Sequence, residues 1–172
     1  SYFHERGFRD DIIKKFGLGY CPEGKEYFTQ AALQEGYKME FLEKTGLTIK
    51  REDWIRDRFA GRVMFPVHSI SGRVIAFGGR TLSQDKSIAK YLNSPESDIY
   101  HKSRVVYGIY LAKRAVIQFD KCYLVEGYTD VIAMHQAGIE NVVASSGTSL
   151  TVDQIRLIRR FLRYMPLKDV LY

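Results

Sequence analysis

Apolar residues recur at helical spacing in three short segments near the start of the chain, and each segment is followed by a glycine. A helix commonly ends where a glycine adopts the left-handed conformation, so this pattern predicts three short helices. The predicted helices span residues 9–16, 29–35 and 39–44, before Gly17, Gly36 and Gly46.

Strand patterns replace the helical ones from Arg58 onward. Residues 62–67 and 73–77 carry the β-branched and aromatic side chains that predict two strands, and residues 69–72 predict a hairpin turn between them. A sheet is therefore expected in the middle of the chain.

Gly78-Gly79-Arg80 is expected to break this sheet, because paired glycines commonly mark a turn, and the polar stretch 83–90 is expected to be a loop. Residues 107–115 predict a helix that leads to the next strand. Residues 1–115 are thus interpreted as an α+β lobe of mixed helices and sheet, with a division between residues 115 and 120.

The rest of the chain predicts the start of an α/β domain over residues 116–172. A buried strand over 122–125, a helix over 130–137 and a second strand over 141–145 form a strand–helix–strand unit, which is typical of a parallel sheet. Residues 169–172 predict a third strand, so the sheet is expected to be incomplete within this chain.

A helix is predicted from Thr151 to about Arg163, beyond which Pro166 ends it. Thr151 and Gln154 stand at capping-box spacing. The helix is amphipathic, with isoleucines and a leucine on one face and arginines on the other. Either a solvated face or a nucleic-acid contact accounts for these basic residues: Arg156, Arg159, Arg160 and Arg163.

Composition narrows the class of protein only slightly. The 172 residues are 45% hydrophobic and 13% aromatic, which suffices for a folded core, and the formal net charge of +6 favours acidic partners such as nucleic acid or nucleotides. Cys21 and Cys122 are far apart and have no zinc-site spacing, so Cys122 is expected to be a buried thiol. No apolar run approaches a membrane span, and we expect a cytoplasmic protein.

Glu126 stands where the predicted strand gives way to the predicted helix, in the run Leu124-Val125-Glu126-Gly127-Tyr128-Thr129-Asp130. Ligands of open parallel sheets bind just beyond the carboxyl ends of the strands. The pattern leaves three interpretations open: a metal ligand or general acid or base, a partner of a nearby arginine, and an anion stabilised by the free N–H groups at the helix entrance.

Asp130 lies in the first turn of that helix, where the helix dipole favours an acidic side chain without any further function. It is also a candidate second metal ligand, since magnesium takes one or two protein carboxylates together with substrate phosphates. One acid alone does not complete such a site.

A second group of candidate residues follows the hairpin: Arg80 after two glycines, then Lys90, Tyr91 and Asn93, and further on Lys102. Basic side chains neutralise phosphates, an aromatic ring stacks on a base, and an amide donates to a phosphate or a base edge. The alternatives are a simple turn at the glycines and a core position for Tyr91.

The four histidines are scattered, with no pair at metal-ligand spacing, so a metallohydrolase is excluded. No serine elbow, phosphate-binding loop or dinucleotide fingerprint occurs. His135, on the helix after Glu126, is expected to be partly exposed or hydrogen-bonded rather than a ligand.

Three stretches together resemble the bacterial DnaG-type DNA primases: Arg58 to Leu82, the run Lys-Tyr-Leu-Asn-Ser-Pro-Glu at residues 90–96, and residues 124–130. Their order and spacing match as well, and the resemblance extends over essentially the whole chain. Where the family usually has methionine after Glu-Gly-Tyr, this chain has Thr129, which leaves both acids in place.

The resemblance implies the amino-terminal lobe of a primase catalytic core followed by the first part of a TOPRIM domain. It further implies that the parent protein makes short RNA primers on a single-stranded DNA template from nucleoside triphosphates, with Mg²⁺, or alternatively Mn²⁺, as the cofactor. Glu126 corresponds to the family's active-site acid. The template or nucleotide phosphates would be held by Arg6, Arg80, Lys90, Tyr91, Asn93 and Lys102.

The family's remaining metal ligands, in an Asp-Gly-Asp motif, are expected beyond Tyr172. The resemblance also places a zinc-binding domain and a helicase-interaction domain outside this chain. We therefore expect a monomeric primase fragment with no membrane partner, which binds the replicative helicase only through that other domain and is inactive alone. The alternatives are a non-catalytic module that binds single-stranded DNA or nucleotides and, less favoured, another TOPRIM nuclease or topoisomerase.

Overall fold

The computed structural model describes residues 1–147 and 149–163. The chain divides into two compact units. The antiparallel-sheet unit comprises Gly17–Pro66 and Ile75–Tyr100, and the parallel-sheet unit comprises Ser1–Phe16, Val67–Val74 and the described residues from His101 onward. The predicted third strand at residues 169–172 and Pro166 lie outside the described residues.

The antiparallel-sheet unit contains two helices and six strands, two of which, β4 and β5, extend beyond it at their hairpin end. The helices are α3 (Tyr27–Gln34) and α4 (Met39–Lys44), and the strands are β1 (Gly19–Cys21), β2 (Thr48–Lys50), β3 (Ile55–Asp57), β4 (Arg62–His68), β5 (Val74–Thr81) and β6 (Tyr91–Asn93). The order in the main sheet is β1-β4-β5-β6, and β2 pairs with β3 in a separate hairpin. The predicted strands of the hairpin are confirmed, whereas the three-residue strands were not predicted.

Buried Asp57 joins α3 to the β2–β3 hairpin. Its carboxylate accepts hydrogen bonds from the backbone N–H groups of Phe28 (2.6 Å) and Thr29 (2.9 Å) and from the Thr29 hydroxyl. These bonds satisfy two donors that the first turn of a helix leaves without intrahelical partners. A buried charge is thereby fully hydrogen-bonded and anchors the unit.

The predicted break at Gly78-Gly79-Arg80 is wrong, because β5 continues through all three residues to Thr81. Gly78 pairs with Asn93, Gly79 with Leu92 and Arg80 with Tyr91. The glycine at position 79 serves a close approach instead of a turn: a Cβ there would lie 2.6 Å from a ring carbon of Phe59 and 3.1 Å from Cδ of Arg62. Tertiary packing therefore explains this residue.

In its described residues, the parallel-sheet unit contains five α-helices, one 3₁₀ helix over Lys102–Arg104 and two paired strands. The helices are α1 (Tyr2–Glu5), α2 (Asp10–Phe16), α5 (Ile109–Phe119), α6 (Tyr128–Gln136) and α7 (Val152–Arg159), and the strands are β7 (Tyr123–Val125) and β8 (Val142–Ala144). The strands are parallel, with Val125 opposite Ala144, so the predicted strand–helix–strand unit is confirmed. Its helix begins at Tyr128, two residues earlier than predicted.

The core of this unit lies where α5 and α7 pack against β8. Val106, Ile109, Ala112, Val116, Val143 and Ile158 form its buried cluster. The predicted capping box is confirmed, since Thr151 Oγ1 accepts from the Gln154 N–H (3.1 Å) and Gln154 Oε1 accepts from the Thr151 N–H (3.0 Å). The helix ends at Arg159, not Arg163. Among the described residues, no helix is long and apolar enough to cross a lipid bilayer.

Candidate functional site

Glu126 follows β7 directly and is exposed at the carboxyl end of the parallel strand pair. Because Val125 lies opposite Ala144, Glu126 and Ser145 emerge from the two strands at the same edge. Within the described part of the chain, the Glu126 carboxylate accepts no hydrogen bond and forms no ion pair. The interpretation as the partner of an arginine is therefore not supported there, and the carboxylate remains available to a cation or a proton.

Asp130 caps the helix that Glu126 precedes. Its Oδ2 accepts a hydrogen bond from the Gly127 N–H at 3.0 Å, and its negative charge in the first turn interacts favourably with the helix dipole. The structural role anticipated for Asp130 is thus confirmed. Its other carboxylate oxygen accepts no hydrogen bond from the described residues and faces solvent with the exposed side chain.

These two acids supply only part of the ligand set that a divalent cation needs. Within residues 1–147 and 149–163, no three His, Cys, Asp or Glu side chains cluster closely enough to enclose an ion. Hard oxygen ligands suit magnesium, which commonly keeps waters and shares substrate phosphates beside one or two carboxylates. Glu126, with Asp130 four residues on, matches that chemistry as part of a metal site.

Buried aromatic residues hold the backbone behind Glu126. Tyr128, at the first position of α6, packs edge to face against Tyr107 with ring centroids 4.6 Å apart. Tyr107 also bridges to β8, donating its N–H to the Ala144 carbonyl at 2.8 Å and accepting the Ala144 N–H at 3.1 Å. The turn that carries Glu126 is therefore attached to a rigid core.

Arg80, Tyr91 and Asn93 share one face of the β5–β6 pair. Directly opposed residues of an antiparallel pair point to the same side, and side chains alternate along a strand. Arg80 opposes Tyr91, and Asn93 opposes Gly78, which adds no side chain to this face. Tyr91 is exposed, so the interpretation as a core residue is wrong, and its ring is accessible for stacking.

Lys90 precedes β6 and is exposed, and its carbonyl accepts a hydrogen bond from the Thr81 N–H at 3.0 Å. The structure thus brings four of the six predicted basic and polar residues together on one strand pair of the antiparallel-sheet unit. The other two belong to the parallel-sheet unit. Arg6 is exposed with its guanidinium 5.4 Å from the centre of the Tyr2 ring, and half-buried Lys102 opens the 3₁₀ helix.

Two functional candidates, Arg58 and Arg62, were missed by the sequence interpretation. Arg58 precedes β4, and Arg62 is its first residue. Arg58 donates to the carbonyl of Asn93, the last residue of β6, and Arg62 donates to the carbonyl of Ala89, just before β6. Nothing in the sequence around these two residues distinguishes a buried guanidinium from a solvated one. Their tertiary contacts identify them.

His135 is buried, not partly exposed, and neither ring nitrogen has a hydrogen-bond partner in the described residues, so the expectation for it is wrong. Its ring packs edge to face on Phe16, with centroids 5.0 Å apart. Burial, and to a smaller extent Lys15, lowers the pKa of His135 to about 4, against the opposing effect of Glu140. A neutral imidazole is the form that this site accepts.

The Cys122 thiol is largely shielded from water. Burial raises its pKa to about 12, so the thiol is protonated at neutral pH and unreactive. The interpretation as an inert cysteine is consistent with this environment.

Comparison with protein families gives two matches that together cover most of the chain. A family model described as the DNA primase catalytic core, N-terminal domain, matches residues 1–113, and a Toprim domain model matches residues 120–170. The two matched ranges are consecutive along the chain.

Curated relatives and solved structures agree with these matches. The DNA primase of Halalkalibacterium halodurans is 43% identical over 162 residues, which are 93% of this chain and 27% of that protein. The chain therefore spans about a quarter of the length of the curated relatives it matches. The RNA polymerase domain of Mycobacterium tuberculosis primase DnaG superposes with a TM-score of 0.88 at 38% identity, covering 99% of this chain and 54% of that one. A DnaG primase catalytic domain bound to single-stranded DNA superposes with a TM-score of 0.82 at 41% identity, covering 94% and 50%.

Proposed function

The chain belongs to the family of DNA primase catalytic cores, and from that premise we propose that the protein carrying it is a DNA primase. This enzyme is a nucleotidyltransferase that synthesises short RNA primers on single-stranded DNA for replication. The relatives named DNA primase support the proposal through their identity over more than nine-tenths of this chain. We keep the division near residue 115, between the lobe and the TOPRIM domain, as part of the proposal.

The observation that carries the catalytic assignment is the exposed Glu126 carboxylate at the end of β7, which has no hydrogen-bond or ion-pair partner among the described residues. It stands on a backbone fixed by Tyr107 and Tyr128, at the edge of the parallel strands where ligands bind. Such a group can hold a cation or accept a proton without first breaking an existing ion pair. Glu126 is accordingly proposed as the acid that acts on the reacting groups.

Mg²⁺, or alternatively Mn²⁺, is the proposed cofactor, held by Glu126 and in addition by Asp130 through the oxygen that does not cap the helix. When bound, such a cation stabilises the charge that develops on the transferred phosphoryl group. Further ligands are proposed outside the described residues. Residues 1–172 alone are therefore proposed to be inactive in primer synthesis.

The face shared by Arg80, Tyr91 and Asn93, together with Lys90, is proposed to hold template or nucleotide phosphates. Tyr91 offers a ring for base stacking, and the two cations neutralise phosphate charge. Arg6 and Lys102, which belong to the parallel-sheet unit, are also proposed to bind template or nucleotide phosphates. Single-stranded DNA bound to a related catalytic domain supports the choice of template.

The remaining partners are proposed from the family alone: nucleoside triphosphates as substrates and a replicative helicase that binds another domain. A monomeric state and a cytoplasmic location complete the proposal. Zinc is proposed only for a domain separate from this chain.

Template-directed synthesis tests the proposed function. The protein carrying this chain should join ribonucleotides into an RNA primer on a single-stranded oligodeoxynucleotide. Formation of this primer should require both the template and a divalent cation. Equal product with a chelator present, or none under any template, would overturn the proposal.

Salt dependence of template affinity tests the basic surface separately. Lys90→Ala or Arg80→Ala should weaken binding and lower the slope of log affinity against log salt by about one, as expected for one lost phosphate contact. The matched control is Lys14→Ala, an exposed lysine on α2. Unchanged affinity and slope for both variants would remove these residues from the template site.

A further inference from the structure

The guanidinium of Arg62 lies against the start of β6. Arg62 is 7% exposed, and its Nη1 donates to the Ala89 carbonyl at 3.0 Å, with longer contacts to the carbonyls of Gly79 (3.3 Å) and Lys90 (3.5 Å). Ala89 and Lys90 directly precede β6, so one side chain joins the end of the exposed loop to β5.

Arg58 lies at the other end of the same strand. Its Nε and Nη2 donate to the Asn93 carbonyl at 3.3 and 3.2 Å, and Asn93 is the last residue of β6. The two arginines thus hold both ends of a strand only three residues long. We call this pair the arginine clamp.

Neither cation of the arginine clamp is neutralised by an acid. No carboxylate of the described residues lies within 4.0 Å of either guanidinium. Burial lowers the pKa of both groups, and the nearby charge of Arg58 lowers the pKa of Arg62 further. Burying two like charges is costly, and the carbonyl contacts offset part of this cost by accepting hydrogen bonds from both guanidinium groups.

Strand β6 lies at the edge of its sheet. Within the described residues it pairs with β5 on one side, and it follows an exposed loop. Just after the strand, the Ser94 N–H donates to the Phe77 carbonyl at 2.8 Å, and the Ser94 hydroxyl accepts from the Phe77 N–H at 2.9 Å. A short edge strand belongs to the segments that open most readily.

Arg62 approaches β6 from the face opposite Tyr91 and Asn93. A Cβ at Gly79 would meet Phe59 and Arg62, so both lie on the side toward which Gly79 and its partner Leu92 point. Tyr91 and Asn93 point to the other side. Arg62 therefore reaches the backbone just before β6 without occupying the face that carries these two side chains.

We infer that Arg58 and Arg62 are positioning residues that fix β6, and through it Lys90, Tyr91 and Asn93, in the geometry that binds phosphate or base. The inference rests on the proposed function for the role of those three residues. That the arginine clamp stabilises the backbone of β6 can be tested whether or not the protein binds DNA.

Hydrogen exchange and binding, measured on the protein that carries this chain, test the inference together. Arg62→Met and Arg58→Met keep the apolar part of the side chain and remove the guanidinium. Arg62→Lys keeps the positive charge but loses the planar group of N–H donors. The matched control is Arg56→Met, which removes an exposed arginine of β3 from the same unit. Amides of α3 and of α6, which contain none of the substituted residues, serve as internal references for global unfolding.

Both methionine variants should increase exchange across residues 89–94 by about tenfold or more, the usual effect of losing a hydrogen bond from a charged donor, while the reference amides stay unchanged. Affinity for a labelled single-stranded oligodeoxynucleotide should fall by a similar factor with an unchanged salt slope. Arg62→Lys should recover part of both losses, and Arg56→Met should show neither.

Unchanged exchange at β6 in both methionine variants would overturn the clamp. A salt slope lowered by about one for each arginine would assign a direct phosphate contact instead of positioning. If the unmodified protein binds neither DNA nor nucleotide, the proposed function fails, and the exchange result alone still decides whether the clamp exists.

Discussion

Replacing Gly79 by alanine places a methyl group where the structure has no room. The new Cβ would lie 2.6 Å from Cδ1 and 3.2 Å from Cε1 of Phe59, and 3.1 Å from Cδ of Arg62. Phe59 is only 2% exposed and packs edge to face on Phe77, so its ring cannot move without disturbing the core. The strand must shift, or the ring must leave its position.

Overpacking a core in this way typically costs about 1–3 kcal/mol. Loss of glycine flexibility in the unfolded chain stabilises the folded state by about 0.4–1 kcal/mol, because the backbone at Gly79 is not left-handed. We therefore expect Gly79→Ala to lower the free energy of unfolding by about 1–2 kcal/mol. The displaced Arg62 should also loosen β6.

Gly19→Ala is the matched control, since Gly19 lies in β1 of the same sheet and a Cβ there meets nothing within 4 Å. It should be neutral or slightly stabilising. Urea unfolding followed by the fluorescence of Trp54, the single tryptophan of the chain, measures both free energies. If Gly79→Ala is as stable as Gly19→Ala, the close approach of Phe59 and Arg62 is not the reason for the glycine.

Two further predictions concern the parallel-sheet unit. His135 has a folded-state pKa near 4, below its unfolded value near 6.5, so the unfolded chain binds the extra proton between these pH values and stability should fall as the pH drops below about 6.5. The free energy of unfolding should be lower by about 2 kcal/mol at pH 5, and this loss should disappear in His135→Phe. Urea unfolding at several pH values measures it. An unaltered pH dependence in His135→Phe would contradict the burial effect. Thr151→Ala removes the acceptor for the Gln154 N–H and should cost about 1 kcal/mol, whereas Thr151→Ser should retain most of it; equal melting curves for both would show that this cap does not stabilise α7.

Local signals in the sequence were sufficient for part of the fold. The capping box at Thr151 and Gln154 depends on residues three apart, and the strand–helix–strand unit around Glu126 carries its own apolar pattern. The β4–β5 hairpin is similarly local. In each case the chemistry that specifies the element lies within the element.

Elements that depend on distant partners were missed or misinterpreted. Strand β1 exists because Gly19 pairs with Met64, 45 positions away, and its three residues carry too short a pattern to be detected. Gly79 has the local signature of a break, yet its function is to admit Phe59. His135 was expected to be solvated, but α2 covers it. Tertiary packing decides such positions.

The candidate site divides in the same way. Glu126 was identified from its position after a strand, and the resemblance to primases implies that it is the active-site acid. Its freedom from ion pairs in the described residues, by contrast, became visible only in three dimensions. Nothing in the sequence indicated the roles of Arg58 and Arg62, since it does not show whether an arginine is solvated or buried against backbone carbonyls.

Primer synthesis by Glu126→Gln tests the central claim most directly. The substitution keeps the size of the side chain and removes its charge, and because Glu126 has no partner among the described residues, folding and template affinity should be retained. We expect the rate of ribonucleotide incorporation to fall by at least about a hundredfold, as for the loss of a group that acts in the chemical step. The matched control is Glu35→Gln, which replaces an exposed glutamate after α3. This variant should synthesise primers at the unmodified rate. An unmodified rate from Glu126→Gln would contradict the account.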